Sequence, residues 1–416
     1  LPSTKRLGAL AGVAVLFLSA CAGPGENGSD TVPRDDPAPP PPEVSGPLPP
    51  PLRADPLWAA PFSSEPKATE SMFIGVVQER EGGAVEFLGV DHTGRTRWST
   101  ERDPECTGFV ITRDPRDGSE LVVLLDKEKD PDGGFLATRT TASAFRPDDG
   151  ELVWGPANVP GTLVGPGLVF AAIQGSVMSD HTGPKVALHT GTGAVTADEH
   201  EDEVILHEYH GVVLVHRDEA LRAVDSTGAD LWDHTDLEIP EELDASDVRV
   251  GYGPRPADDS AAAVTLVWSA ASGNEDDEGA PLLYTVHDLR TGDRLLTLAP
   301  DRRPRSLDLG HGRTAVLGAP AEDPDTSSVQ AVTDEGHVPL WRHDVGQDTR
   351  MRGAAGATLY LDDADTHQAL DVRTGSVEQE WEGHAEPPAA ALESGPALVE
   401  VTTADESRVF AALPVG

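Results

Sequence analysis

The feature that most constrains this chain is a short hairpin that recurs along it. Its clearest form is Ala223-Val224-Asp225-Ser226-Thr227-Gly228-Ala229-Asp230-Leu231-Trp232. Ala223 and Val224 end one strand, and Asp225 to Gly228 carry the Asp/Ser/Thr/Gly chemistry of a tight turn. Leu231 and Trp232 lie on the returning strand. The pattern also leads from Gly89 through Gly94 to Trp98, and from Phe145 through Gly150 to Trp154. It returns at Val286 to Gly292, at Ala331 to Gly336 before Trp341, and at Ala369 to Gly375 before Trp381, with a degenerate copy at Ala187 to Gly193. Seven hairpins spaced roughly 35 to 64 residues apart predict a propeller or a solenoid before any other architecture.

A second signal sits at a regular place between the hairpins. A turn ending in Gly opens an apolar run of β-formers at Gly118 then Leu121 to Leu125, Gly167 then Leu168 to Ile173, and Gly211 then Val212 to Val215. Gly312, Gly356 and Gly395 open the runs Thr314 to Leu317, Thr358 to Leu361 and Ala397 to Val401. These read as the second strands of four-stranded blades, with the Trp-bearing hairpin supplying the third and fourth. No stretch holds a long helical period, so the body is expected to be all-β.

The pattern Ala-Leu-Asp-x-x-Thr-Gly-x-x-x-x-x-Trp, as in Ala369 to Trp381, resembles the repeat of the quinoprotein-like (PQQ-repeat) β-propellers. The resemblance runs from about residue 55 to the end and implies a β-propeller in which the repeat Trp docks one blade on the next. Carried over, that role falls to Trp98, Trp154, Trp232, Trp341 and Trp381. Each indole would bury about 200 Å², worth several kcal/mol at ~25 cal/mol per Å². Ala197 and Leu296 stand at the corresponding places of two repeats, where the junctions are expected to be looser or packed differently. Trp268 follows the apolar run Val264 to Val267 and reads as a core residue. Pro56-Leu57-Trp58 reads as an outer strand without its hairpin, while Pro396 to Val401 and Arg408 to Leu413 read as second and third strands without an outer one. Joining the two ends predicts a ring of eight blades closed by strand exchange over residues 56–416, with seven blades as the alternative.

Ahead of the propeller, residues 1–21 read as a lipoprotein signal peptide. Lys5 and Arg6 precede the apolar run Leu7 to Leu18, which is too short to span a membrane comfortably. Leu18-Ser19-Ala20-Cys21 has the form of a bacterial lipobox, which predicts acylation of Cys21 and stable anchoring through its acyl chains. Residues 22–55 are rich in Pro and Gly and are expected to form a disordered to polyproline-like tether. The chain is therefore expected on the outer face of the cell membrane, lipid-anchored.

Function is less legible. A formal net charge of −41, from 31 Lys plus Arg against 72 Asp plus Glu, argues against nucleic-acid binding, which needs a basic stripe. It favours a soluble exported body. Quinoprotein dehydrogenases of the resembled fold use adjacent cysteines and a carboxylate/Asn set around Ca²⁺. Here Cys106 is the only cysteine besides Cys21. It has no base beside it in the sequence and reads as a free, inert thiol. His200, His207, His210 and His216 cluster with Glu199, Glu201 and Glu203, a composition that suits Zn²⁺. Yet His210 falls in the turn before a second strand, as His311 does in a later repeat, so placement in turns accounts for it. The acidic stretches Asp126 to Gly134 and Asn274 to Gly279 lack the terminal carboxylate of an EF-hand loop and read as solvated insertions; with Tyr252 to Asp259 they are the expected contact segments for a cationic or basic-patched partner.

No catalytic residue, cofactor or metal site is assigned. The expectation is a monomeric, non-catalytic binding or assembly scaffold for a protein or cell-envelope partner. A ligand-sensing ectodomain is the alternative, and a PQQ-dependent dehydrogenase is the less favoured third. The two leading readings part at the central channel: plugged for a scaffold, open with convergent polar groups for a ligand binder.

Overall fold

The hairpins form for a local electrostatic reason. In Asp225 to Gly228 the Asp225 Oδ1 accepts from the amides of Thr227 and Ala229 at 2.7 and 3.0 Å and from the Thr227 hydroxyl at 2.6 Å. Asp91 makes the same three bonds to Thr93 and Arg95, and Asp371 accepts from the amides of Arg373 and Thr374. The carboxylate thus replaces backbone partners within the turn, and the glycine that follows takes a positive φ, +80° at Gly228 and +83° at Gly94.

The computed structural model describes residues 31–44, 47–77, 83–129, 138–173, 182–199, 203–218, 220–243, 248–256, 261–270, 281–333, 339–363, 366–383, 385–403 and 407–416. They fold as an all-β propeller of eight antiparallel blades, and the four strands of each of blades 1 to 7 run from the channel outward in chain order. Blade 1 is Lys67–Ala68, Met72–Val77, Val85–Asp91 and Thr96–Arg102. Blade 2 runs from Phe109–Arg113 to Leu152–Val159, blade 3 from Thr162–Leu163 to Val195–Asp198, and blade 4 from Glu203–Tyr209 to Asp230–Asp233. Blades 5, 6 and 7 begin at Val248–Tyr252, Arg305–Gly310 and Arg350–Ala355. Each expected second strand is present, as in Glu120–Lys129, Val212–Arg217 and Thr358–Asp363.

Blade 8 is built from both ends of the chain. Ala390–Ala391, Ala397–Thr402 and Arg408–Leu413 supply its inner three strands. Trp58–Ala60 adds the fourth, pairing Trp58 with Ala412 and Ala60 with Phe410. The ring closes by the expected exchange.

Packing between blades repeats one contact. The Trp98 Nε1 donates to the Pro147 carbonyl at 2.6 Å, Trp154 to Thr190 at 2.6 Å, Trp232 to Leu289 at 2.9 Å and Trp341 to Val372 at 3.0 Å. Each acceptor lies in the hairpin of the following blade. The same hairpin's glycine faces the indole so closely that a Cβ would fall 2.8 Å from Trp98 at Gly150 and 2.3 Å from Trp154 at Gly193. A hairpin glycine therefore serves twice, allowing positive φ and admitting the neighbour's ring. Ala197 leaves its junction open: a Cβ at Gly228 would meet only the Thr196 carbonyl, at 3.9 Å.

Two expectations need correction. Trp381 does not dock on the following blade. It stacks on His367 of its own blade at 5.3 Å, because blade 8 takes its outer strand from the N-terminus and has no hairpin there to receive a ring. Trp58, on that exchanged strand, packs against Gly94 of blade 1 in its place. The second correction concerns the segment expected to be an unpacked tether to residue 55. Residues 1–30, with Cys21 and the apolar run, lie outside the described residues, but from Thr31 onward the segment packs. Val32–Asp36 adds a fifth strand outside blade 1, pairing Pro33 with Trp98. Arg34 bonds Glu86 and Ser99, both at 3.2 Å. Val44, Leu48 and Leu52 then cover Val399, Val401, Ala411 and Leu413 of blade 8. The proline-rich composition concealed these few apolar and charged anchors.

Candidate functional site

The expected ligand sets do not converge. His207 is buried inside the ring, its Nδ1 3.1 Å from the Tyr252 hydroxyl and its Nε2 2.8 Å from the Ala261 carbonyl. Burial holds it neutral, with its pKa lowered to about 4. His216 is exposed on the neighbouring strand, opposite Val204. Glu199 pairs with Lys185 at 3.1 Å and Glu203 with Arg217 at 2.8 Å, while His200 and Glu201 lie outside the described residues. No group of three or more metal-ligating side chains gathers among the described residues. Cys106 is a buried free thiol whose pKa burial pushes up to about 11, with Asp103 and Asp126 adding to the rise, so it is poorly disposed to act as a thiolate. Trp268 is a core residue, donating to the Thr285 hydroxyl at 2.7 Å.

The strand ends that flank the acidic insertions do not share a face. Asp126 to Gly134 and Asn274 to Gly279 fall between second and third strands, whereas Tyr252 to Asp259 falls between a first and a second. Successive connections in an antiparallel blade lie at opposite ends, so the strand ends flanking the third insertion point the other way. Residues 130–134, 257–259 and 274–279 themselves lie outside the described residues.

What the blades do build is a central cavity of about 1570 Å³. Its walls are the innermost strands and their turns, from Ser63 to Ala68 ahead of blade 1 to the turns at Tyr209–His210, Gly310–His311 and Gly356. Blade 8 adds to its breadth. The innermost strand there is only Ala390–Ala391, so the cavity reaches past it to Glu400, Thr402, Arg408 and Phe410 of the next two strands. Gly353 on blade 7 also faces open space, with nothing within 4 Å of a built Cβ.

The lining departs from the rest of the molecule in charge. Lys67, Arg113, Arg305, Arg350, Arg352 and Arg408 face Glu65, Glu120, Glu208, Asp308, Glu386 and Glu400. That parity stands inside a chain of net charge −41. Three of the carboxylates are also shifted toward neutrality by burial, Glu120 among them. Burial raises Glu208 to about 7 and Asp308 to about 6. Glu208 Oε2 accepts from the Leu168 amide of blade 3 at 2.5 Å, and Oε1 from the Gly211 amide at 2.7 Å. It ties two blades at the channel mouth. Beside it, His210 takes φ +44° and stacks on Tyr209 at 3.8 Å. Burial, helped by Arg113 and Arg290, lowers its pKa to about 3. His311 holds the equivalent turn of blade 6 at φ +54°. Both histidines were legible as turn residues, while the cavity was not. Nothing in the sequence marks which strand residues point inward across eight blades.

No protein-family description matches the chain, and no curated protein does. Among solved structures it is similar to BamB from Moraxella catarrhalis, at 15% identity and a TM-score of 0.36, over 86% of this chain and 99% of that one. It is also similar to a chain of the mitotic checkpoint complex, at 10% identity and a TM-score of 0.31 over 99% of each. A third similarity is to the WD40 β-propeller domain of Doa1, at 11% identity and a TM-score of 0.30 over 92% of this chain and 97% of that one.

Proposed function

We propose that this chain is a non-catalytic binding propeller, anchored to the outer face of a cell membrane through Cys21, whose recognition site is the central channel. The observation that carries the reading is the open cavity of about 1570 Å³ with charged and polar walls. A preformed cavity with a few placed polar groups is the default place for a ligand. The perturbed groups inside it are shifted by burial, as with Glu208 and Asp308, and form no nucleophile–base pair among the described residues. Recognition therefore fits better than turnover. With Thr31 onward bound to the propeller, residues 22–30 would leave at most roughly 30 Å between the lipid and blade 1.

A scaffold that works through its loops is the second reading, favoured by the acidic insertions. Association through them would weaken as salt rises. Affinity purification from membranes, followed by identification of what co-elutes, tests the two together. The channel reading expects a small molecule that survives a high-salt wash. A macromolecule released by salt, with no small molecule retained, points to the scaffold. Dye reduction in the presence of PQQ, Ca²⁺ and an alcohol would overturn both and return an enzyme.

A further inference from the structure

Most arginines of so acidic a chain should find a carboxylate, and three in the cavity do. Arg113 lies 2.9 Å from Glu70 and 3.2 Å from Glu120, Arg352 2.5 Å from Glu386, and Arg408 3.3 Å from Glu400. Arg305 and Arg350 are different. They open the innermost strands of adjacent blades 6 and 7, line the cavity, and are exposed to it. Neither has a carboxylate partner among the described residues. Of the lining acids, Glu120, Glu386 and Glu400 are held by arginines. Glu208 and Asp308 accept from backbone amides, Asp308 from Gly310 at 3.1 Å. Glu65 alone is left without such a partner among the described residues, against two such arginines. A guanidinium left uncommitted at a pocket wall offers paired N–H donors in the geometry that a carboxylate or phosphate accepts.

We propose that Arg305 and Arg350 form the subsite of the central channel that binds the acidic groups of a small ligand carrying two carboxylate or phosphate groups. The proposal rests on the channel reading and names its ligand chemistry. The two strands lie side by side, which suits one small molecule with two acidic groups. The negative shell around the channel disfavours anions elsewhere on the surface, so selectivity comes from these two side chains.

Citrate and pyrophosphate serve as probes for the carboxylate and phosphate forms, titrated calorimetrically at constant ionic strength. That control is needed because any salt screens a chain of this charge. At least one probe should bind the wild type, and which one binds identifies the acid. Arg305→Gln and Arg350→Gln should each weaken binding about tenfold, and the double variant should abolish it. All should keep the wild-type thermal midpoint in sodium chloride. No heat from either probe, or equal affinity in the double variant, overturns the proposal. Gly353→Trp, which fills the channel from blade 7, separates the two failures. Probe binding lost there but kept in the arginine variants leaves the channel reading standing and removes this subsite. Binding kept in both removes the channel as well.

Discussion

Glu208 shows how a single side chain couples proton uptake to the ring. Its carboxyl is buried between blades 3 and 4, and burial raises its pKa from 4.5 to about 7. The native state therefore keeps a proton that the unfolded chain releases. That contribution to stability is complete below about pH 4.5 and is lost as pH rises to about 7, at most about 3 kcal/mol. Glu208→Gln should flatten this part of the stability curve, while costing about 1–3 kcal/mol for the amide left without an acceptor. Urea unfolding of both proteins at intervals from pH 4.5 to 7.5 measures it, and parallel curves would reject the assignment. The indoles make a second test. Trp98 and Trp232 each fill a neighbour's hairpin and donate to its carbonyl, so Trp→Ala there should cost about 3–5 kcal/mol. Trp381 lies half-buried on its own blade, and its replacement should cost clearly less. Equal losses in urea unfolding would mean that the indoles do not act as inter-blade wedges.

Strands explain why the ring closes and why its closure is reinforced. Trp58–Ala60 completes blade 8, and the segment from Thr31 to Leu52 then crosses blades 1 and 8 on the outside. Deleting residues 55–62 should expose the edge at Arg408–Leu413 and lower the thermal midpoint most. Deleting 31–52 should lower it less, and deleting 23–30 should leave it unchanged. Indistinguishable midpoints for the three would contradict the closure. The closure was legible because Trp58 and the strands Pro396 to Val401 and Arg408 to Leu413 each carried half of a known pattern. The packed segment was not legible. Its strand, Val32–Asp36, is polar and holds on through Arg34, and through Asp35 paired with Arg95 at 2.8 Å, rather than by apolar alternation. The misplacement of Trp381 has the same origin: its motif is intact, and what it lacks is a receiving hairpin on a blade made from distant residues.

The molecule as a whole sets a charge-balanced channel inside a strongly acidic shell. That contrast could not be read from composition, because −41 is a sum over the chain and the channel samples one inward-facing side chain in several from separate blades. Cys21→Ser should move the protein from the membrane fraction to the medium or the uncleaved precursor. Membrane retention of a correctly processed Cys21→Ser product would reject the anchor without touching the channel. The channel itself is tested most directly by native mass spectrometry of protein extracted from its membranes, comparing wild type with Gly353→Trp. The account predicts a small-molecule adduct on the wild type that is absent from the variant. An adduct of the same mass on both, or none on either, would contradict it.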